Sequence, residues 1–258
     1  MLLSDARFPA GGHAHSGGIE PAVTAGVVTD LASLDAFLRG RLRTAGVVAA
    51  GLAAAACALG SAVIADDSCR GDARPSGGFG PPDRTWAELD ADADARTPSR
   101  AQREASRRQG RALLRAARAA WPDVRWLEDL ATRSPAPRTT AEYRGGPHQA
   151  VVLGAVAAAA GCTPHEAAEI AAYQAVAGPA SAAVRLLALD PMLATALLAR
   201  LTDVITARSR EAAEAGTAGA GAGAGTARAL GELPFPSAPG LDLLAEAHSA
   251  AEVRLFES

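Results

Sequence analysis

Thr163-Pro164-His165-Glu166 opens the stretch TPHEAAEIAAYQAVAGPASAAVRLLAL, residues 163–189, whose reading decides the fold class. Thr and Glu three residues apart form a capping box, in which hydroxyl and carboxylate each satisfy a free backbone N–H. Proline at the first helical position is preset for the helix and loses no hydrogen bond there. The alanines that follow carry the highest helix propensity. The stretch therefore reads as one helix running to about Leu189, with Gly178-Pro179 as its place to bend.

The same signals recur on both sides. Asp190-Pro191 caps another helix, which fades near Gly216. Upstream, Ala150 to Ala160 is almost wholly apolar and reads as a buried helix ended by Gly161. Ser99, after Pro98, is a good N-cap for an arginine-rich helix that Trp121-Pro122 stops, and a short helix follows from about Asp123 to Thr132. From Asp30, Leu31, Leu34, Phe37, Leu38 and Leu42 recur at helical steps, predicting a helix or kinked pair to about Leu59. Leu241 to Phe256 can form a last short helix. Nothing alternates over a convincing strand, so the expected class is all-α.

A single helical-bundle domain over residues 1–258 is expected, with loops attached. Residues 1–22 read as an extended loop, and residues 66–85 as a mobile insert of Asp, Ser, Arg, Gly and Pro. Residues 216–240, containing GTAGAGAGAGT, read as a flexible linker, and residues 241–258 as a C-terminal tail.

Composition narrows the chemistry. The 258 residues carry a formal net charge of -3 and include 66 alanines, while all 25 basic residues are arginine. Without lysine there is no Schiff-base lysine and no P-loop lysine. Without a basic patch there is no reason to expect nucleic acid. Three separated cysteines, Cys57, Cys69 and Cys162, make neither a disulfide framework nor a CxxC site, which fits a reducing cytoplasm. The N-terminus lacks the apolar core of a signal peptide. Thr44 to Ala65 is uncharged and long enough to span a bilayer, but its Ala and Gly content favours a buried core helix over a membrane span.

Four features stand out chemically. In GGHAHSGG, residues 11–18, His13 and His15 are two apart, with Glu20 the nearby carboxylate; metal ligation by this loop competes with a plain hydrogen-bonded turn. An enzyme reading would use these with His148 or His165. Ser16 has Ala14 where a nucleophile elbow needs glycine. Arg100, Arg103, Arg107, Arg108, Arg111, Arg115 and Arg118 share one helix, as a solvated face or as a rim for an acidic partner. Arg185 lies inside the apolar run AAVRLLAL and should meet a carboxylate or a helix end. Finally, the chain ends Val253-Arg254-Leu255-Phe256-Glu257-Ser258, and large apolar groups there should dock, on this protein or another.

Taken in order, several strings resemble the UreF family of urease accessory proteins. They are FPAGGHAHSGGIE (8–20), SRRQGRALLR (106–115), GPHQAVVLGAVAAAAG (146–161), YQAVAGPASAAVRLLAL (173–189) and HSAAEVRLFES (248–258). Ala188, Pro191 and Glu257 depart from the family pattern. The resemblance implies an all-helical, dimeric, non-catalytic chaperone of the cytoplasm that binds UreD (also called UreH) and recruits the GTPase UreG. GTP hydrolysis would then be coupled to nickel delivery into apo-urease, with nickel handled by the complex and no cofactor held by this chain alone. It further implies a UreD-facing surface of Tyr173, Arg185, Arg254, Leu255 and Phe256. A UreG or UreD contact would come from Gly12, His13, His15, Ser16, Gly17, Gly18 and Glu20.

Overall fold

The computed structural model of the chain describes residues 3, 15–70, 83–133, 145–218, 233–251 and 255–256. Helices make up the fold, and no β-strand occurs among the described residues. In chain order they are α1 (Ile19–Thr24), α2 (Leu31–Arg41), a π-helical turn (Leu42–Gly46), α3 (Val47–Arg70), α4 (Asp83–Ala95), α5 (Arg100–Ala120), α6 (Trp126–Arg133), α7 (Gln149–Ala159), α8 (Pro164–Leu187), α9 (Pro191–Thr217) and α10 (Pro239–Ser249).

The capping chemistry sets these boundaries. Thr163 Oγ1 accepts from the Glu166 N–H while the Glu166 carboxylate accepts from the Thr163 N–H, the expected reciprocal pair. Asp30 and Ser33 form a second capping box at α2, Ser99 caps α5 and Asp190 caps α9. Gly161 takes the left-handed conformation after α7, at φ 76°. Helix α8 ends on Ala188, also left-handed at φ 50°, where a side chain is sterically disfavoured.

Helix α3 is the axis of the bundle, packed by α7, α8 and α9, while α5 packs on α7 from outside. Small residues make this closeness possible. A Cβ on Gly154 of α7 would run into the Ala53 carbonyl of α3, and one on Gly216 of α9 would lie 2.6 Å from the Gly51 carbonyl oxygen. Alanines from 150 to 158 on α7 and from 167 to 183 on α8 fill the remaining space. The interaxial distance follows side-chain size, so an alanine-rich core brings backbones together. Leu31–Ala65 is long and apolar enough to cross a bilayer by length, and 56% of its most apolar window is buried inside the fold.

Several boundaries depart from expectation. Ile19–Thr24 is helical inside the expected N-terminal loop. The helix expected to stop at Leu59 continues to Arg70, through a π turn that shifts its face at Leu42–Gly46. Helix α4 begins at Asp83 within the expected 66–85 insert, and Trp86, Leu89 and Ala93 bury its inner face. Trp86 stacks on Trp126 of α6 with ring centroids 5.7 Å apart. The remainder of that insert, 71–82, lies outside the described residues, as do 219–232 of the expected linker. The last helix starts at Pro239 and stops at Ser249, short of the expected Phe256.

Candidate functional site

The ends of the chain meet on the flank of α8. Glu20, in the first turn of α1, is buried at 6% exposure. Its two oxygens accept separate backbone hydrogen bonds, from Leu255 N–H and from Phe256 N–H, each 2.8 Å long. A carboxylate receiving two backbone donors satisfies its charge without a cation. His248, at the end of α10, closes the ring: its Nε2 lies 3.4 Å from Glu20 Oε2 and 3.2 Å from the Phe256 carbonyl oxygen. A carbonyl oxygen can only accept, so Nε2 is the donor there.

The Phe256 ring is partly buried against the core, under the Arg185 guanidinium at 4.5 Å from centroid to carbon. Arg185 is exposed in the last turn of α8, where a cation favours the helix dipole. The anticipated helix-end partner is thus present, and the anticipated carboxylate is replaced by an aromatic face. Leu255 has the opposite fate. Its backbone is fixed, but its side chain stands 73% exposed.

Tyr173 lies upstream on α8, 42% exposed. His15 and Ser16 are buried, and Gly17 and Gly18 turn the chain at φ 60° and 85°. A Cβ on Gly17 would come within 2.8 Å of the Pro179 ring and 3.3 Å of an Arg41 nitrogen, so the turn requires glycine for closeness as well as for φ. The sequence-predicted Gly12, His13 and Arg254 lie outside the described residues. The sequence gives no separate signal for His248 beyond its place in the string HSAAEVRLFES.

The 233–249 segment is fastened independently. Arg96 Nε donates to the Pro234 carbonyl, and its guanidinium covers Phe235. Glu246 accepts from Ser99 Oγ at 2.6 Å and from Ala101 N–H at 2.9 Å. These bonds, the Ser99 hydroxyl first, hold its carboxyl below the usual range and place a negative charge at the N-terminus of α5.

The arginine helix corrects a second expectation. Arg107 is 1% exposed and points inward, away from solvent. It donates to Asp90 Oδ2 at 2.7 Å, to Asp94 Oδ2 at 2.5 Å and to the Gly146 carbonyl. Arg103 folds back on the Thr97 and Pro98 carbonyls, while Arg100 and Arg118 form more exposed pairs with Glu104 and Glu128. Asp90 Oδ1 accepts from the His148 N–H, His148 Nε2 meets Asp94 at 2.8 Å, and Nδ1 meets Ser106 Oγ at 3.0 Å. Burial alone would raise the Asp94 carboxyl, but His148 and then Arg107 outweigh it and hold it below the usual value. Ser106 also accepts from Gln149 N–H, and Arg107 neutralises Asp94. The Ser106–His148–Asp94 chain is therefore a clamp between α4, α5 and α7.

Of the described residues of the enzyme reading, His15 and His148 line one cavity, while Glu20 and His165 lie outside it. Both His148 ring nitrogens are committed, Glu20 is taken up by the tail, and His165 pairs loosely with Glu169 at the surface. No group of three or more His, Cys, Asp or Glu is placed to hold a metal among the described residues.

With this geometry fixed, relationships to known proteins decide the family. The UreF family profile matches residues 28–202. The chain is 40% identical to the urease accessory protein UreF of Mycobacterium marinum, over all of this chain and 97% of the relative. It is 39% identical to that of Mycolicibacterium vanbaalenii and 40% to that of Mycobacterium tuberculosis H37Rv, with the same coverage. The chain belongs to the UreF family of urease accessory proteins. Its residues serve urease maturation, an accessory role, and the Glu20–tail junction joins the first and last family strings in space.

Proposed function

We propose that this chain is the adaptor of urease maturation, bridging UreD (UreH) to the GTPase UreG in the cytoplasm as a homodimer. GTP hydrolysis by UreG is thereby coupled to the delivery of nickel, the cargo, into apo-urease. The complete absence of lysine supports the division of labour, because a P-loop in this chain is excluded and a partner must hydrolyse the nucleotide. Free Cys57 and Cys162 accord with a reducing compartment.

The observation that carries the reading is the tail itself. Glu20, His248 and Arg185 hold its backbone and Phe256 in place, yet leave the Leu255 side chain exposed. A pre-ordered strap presenting an apolar side chain binds a partner without a large ordering cost. We assign Tyr173, Arg185, Arg254, Leu255 and Phe256 to UreD. Gly12, His13, His15, Ser16, Gly17, Gly18 and Glu20 are assigned to a contact with UreG or UreD, in which the buried His15, Ser16 and Glu20 hold the segment in shape.

Co-purification of UreD with the full chain and with a chain lacking residues 250–258 tests the tail. Loss of UreD on truncation, with an unchanged helical circular dichroism spectrum, is expected. Equal recovery by both chains overturns the assignment. Light scattering of the lone chain and of its mixtures with UreD and UreG reports dimer formation and binding order.

A further inference from the structure

Between α3, α5, the start of α7 and the 236–245 segment lies a cavity of about 190 Å³. Its polar lining is unevenly paired. Arg41, from the end of α2, donates through Nε to the Ala175 carbonyl at 2.9 Å, and its guanidinium lies against Gly17 and Gly18. Among the described residues it has no carboxylate partner. Half-buried Arg41 has its pKa pushed down to about 10 by the packing around its guanidinium. Gln109 lines the same cavity and makes no hydrogen bond among the described residues. Asp242, from the first turn of α10, lines it too, with its carboxyl raised by burial and no ion-pair partner among the described residues. The rest of the wall includes apolar groups such as Val48, Leu52 and Leu241.

We infer that this cavity is a binding site for a small monocarboxylate, held by the Arg41 guanidinium and the Gln109 amide. A guanidinium presents paired N–H donors that match the two oxygens of a carboxylate. A concave, largely apolar space with a few convergent polar groups is the usual form of a small-molecule site. Asp242 sets the charge class. A dianion such as phosphate meets the repulsion of this carboxylate, which also accepts from the Ser99 N–H, whereas a monocarboxylate carries less charge against it. No residue of the Leu255–Phe256 strap lines this site, whereas His15, Gly17 and Gly18 of the proposed UreG or UreD contact do, so loss of acetate binding leaves the strap assignment untouched.

The test is isothermal calorimetry of acetate and of inorganic phosphate into the full-length protein, at fixed ionic strength with chloride as the counter-salt, alongside thermal melts. Saturable acetate binding, weaker phosphate binding and a melting temperature that rises with acetate are expected. Arg41→Gln should weaken acetate at least about tenfold, because it removes a charge-assisted pair. Should that variant fail to fold, Gln109→Glu decides: it puts a carboxylate into the cavity and should abolish acetate binding while leaving the helical spectrum intact. Acetate behaving as chloride does, phosphate binding more tightly than acetate, or acetate binding unchanged in Gln109→Glu each overturns the assignment.

Discussion

Glu20 and Phe256, 236 positions apart, are joined by a 2.8 Å hydrogen bond from the Phe256 N–H to the Glu20 carboxylate. The neighbouring oxygen does the same for Leu255. One buried acid near the start of the chain therefore organises its end.

Glu20→Gln tests that control. Gln keeps one acceptor oxygen but presents an NH₂ to the second backbone N–H, and it removes the charge. Hydrogen bonds to charged groups contribute about 1.5–3 kcal/mol, so local opening of the tail should become roughly ten or more times easier. Amide exchange at Leu255 and Phe256 should accelerate while α3 and α7 amides stay protected. Unchanged exchange at both tail amides would rule out the latch.

The buried ion cluster predicts a contrast on one helix. Asp90→Ala leaves Arg107 enclosed with one fewer counter-charge and strips the His148 N–H of its acceptor. Breaking a buried pair in this way costs about 3–5 kcal/mol. Arg118→Ala removes a surface pair with Glu128 and should cost under about 1 kcal/mol. Urea midpoints at constant m-value measure both, and comparable losses would contradict the inward role of Arg107.

Acid sensitivity follows with a definite sign. Asp94 has a folded-state pKa below its ordinary value of 3.8, since His148 and Arg107 outweigh its burial. Its contribution is therefore complete above the unfolded value and is lost as pH falls through the folded one. Wild type should exceed Asp94→Asn in stability at pH 7, and the two curves should converge below about pH 4. Parallel curves from pH 7 to pH 3 in denaturant titrations would exclude Asp94 as a source of acid lability.

Ala188 ends α8 in the left-handed region. The steric cost of that conformation is about 1–2 kcal/mol for a residue with a side chain. Glycine relieves it but gives back about 0.4–1 kcal/mol in unfolded-chain entropy. Ala188→Gly should therefore raise stability by about 0.5–1 kcal/mol, read as a higher urea midpoint. A lower midpoint would mean that the Ala188 methyl group supplies packing that outweighs the strain.

Local chemistry was legible wherever a signal and its consequence lie within a few residues. The Thr163–Glu166 box, the Ser99 and Asp190 caps, the Gly161 stop and the apolar face of α7 act over one turn of chain, and each helix forms where they place it. Helix α4 carries no such local signal, because its buried side, Trp86, Leu89 and Ala93, sits within an acidic, breaker-flanked stretch. The surfaces it packs against, on α3, α7 and Trp126 of α6 forty residues on, come from distant parts of the chain.

The sequence by itself determined that this chain is all-α and, through its ordered strings, that it is UreF-like. Caps, alanine propensity and apolar periodicity are properties of adjacent residues. Only the tertiary structure decided the destinations of the charges. Arg107 and Arg118 are eleven residues apart on one helix, yet one is enclosed by Asp90 and Asp94 and the other reaches Glu128 near solvent. Arg185 meets a phenyl ring, Arg41 faces a cavity, and Glu20 finds its donors at the far end of the chain. A charge is stabilised by whatever surrounds it in three dimensions, and those surroundings come from helices distant in sequence.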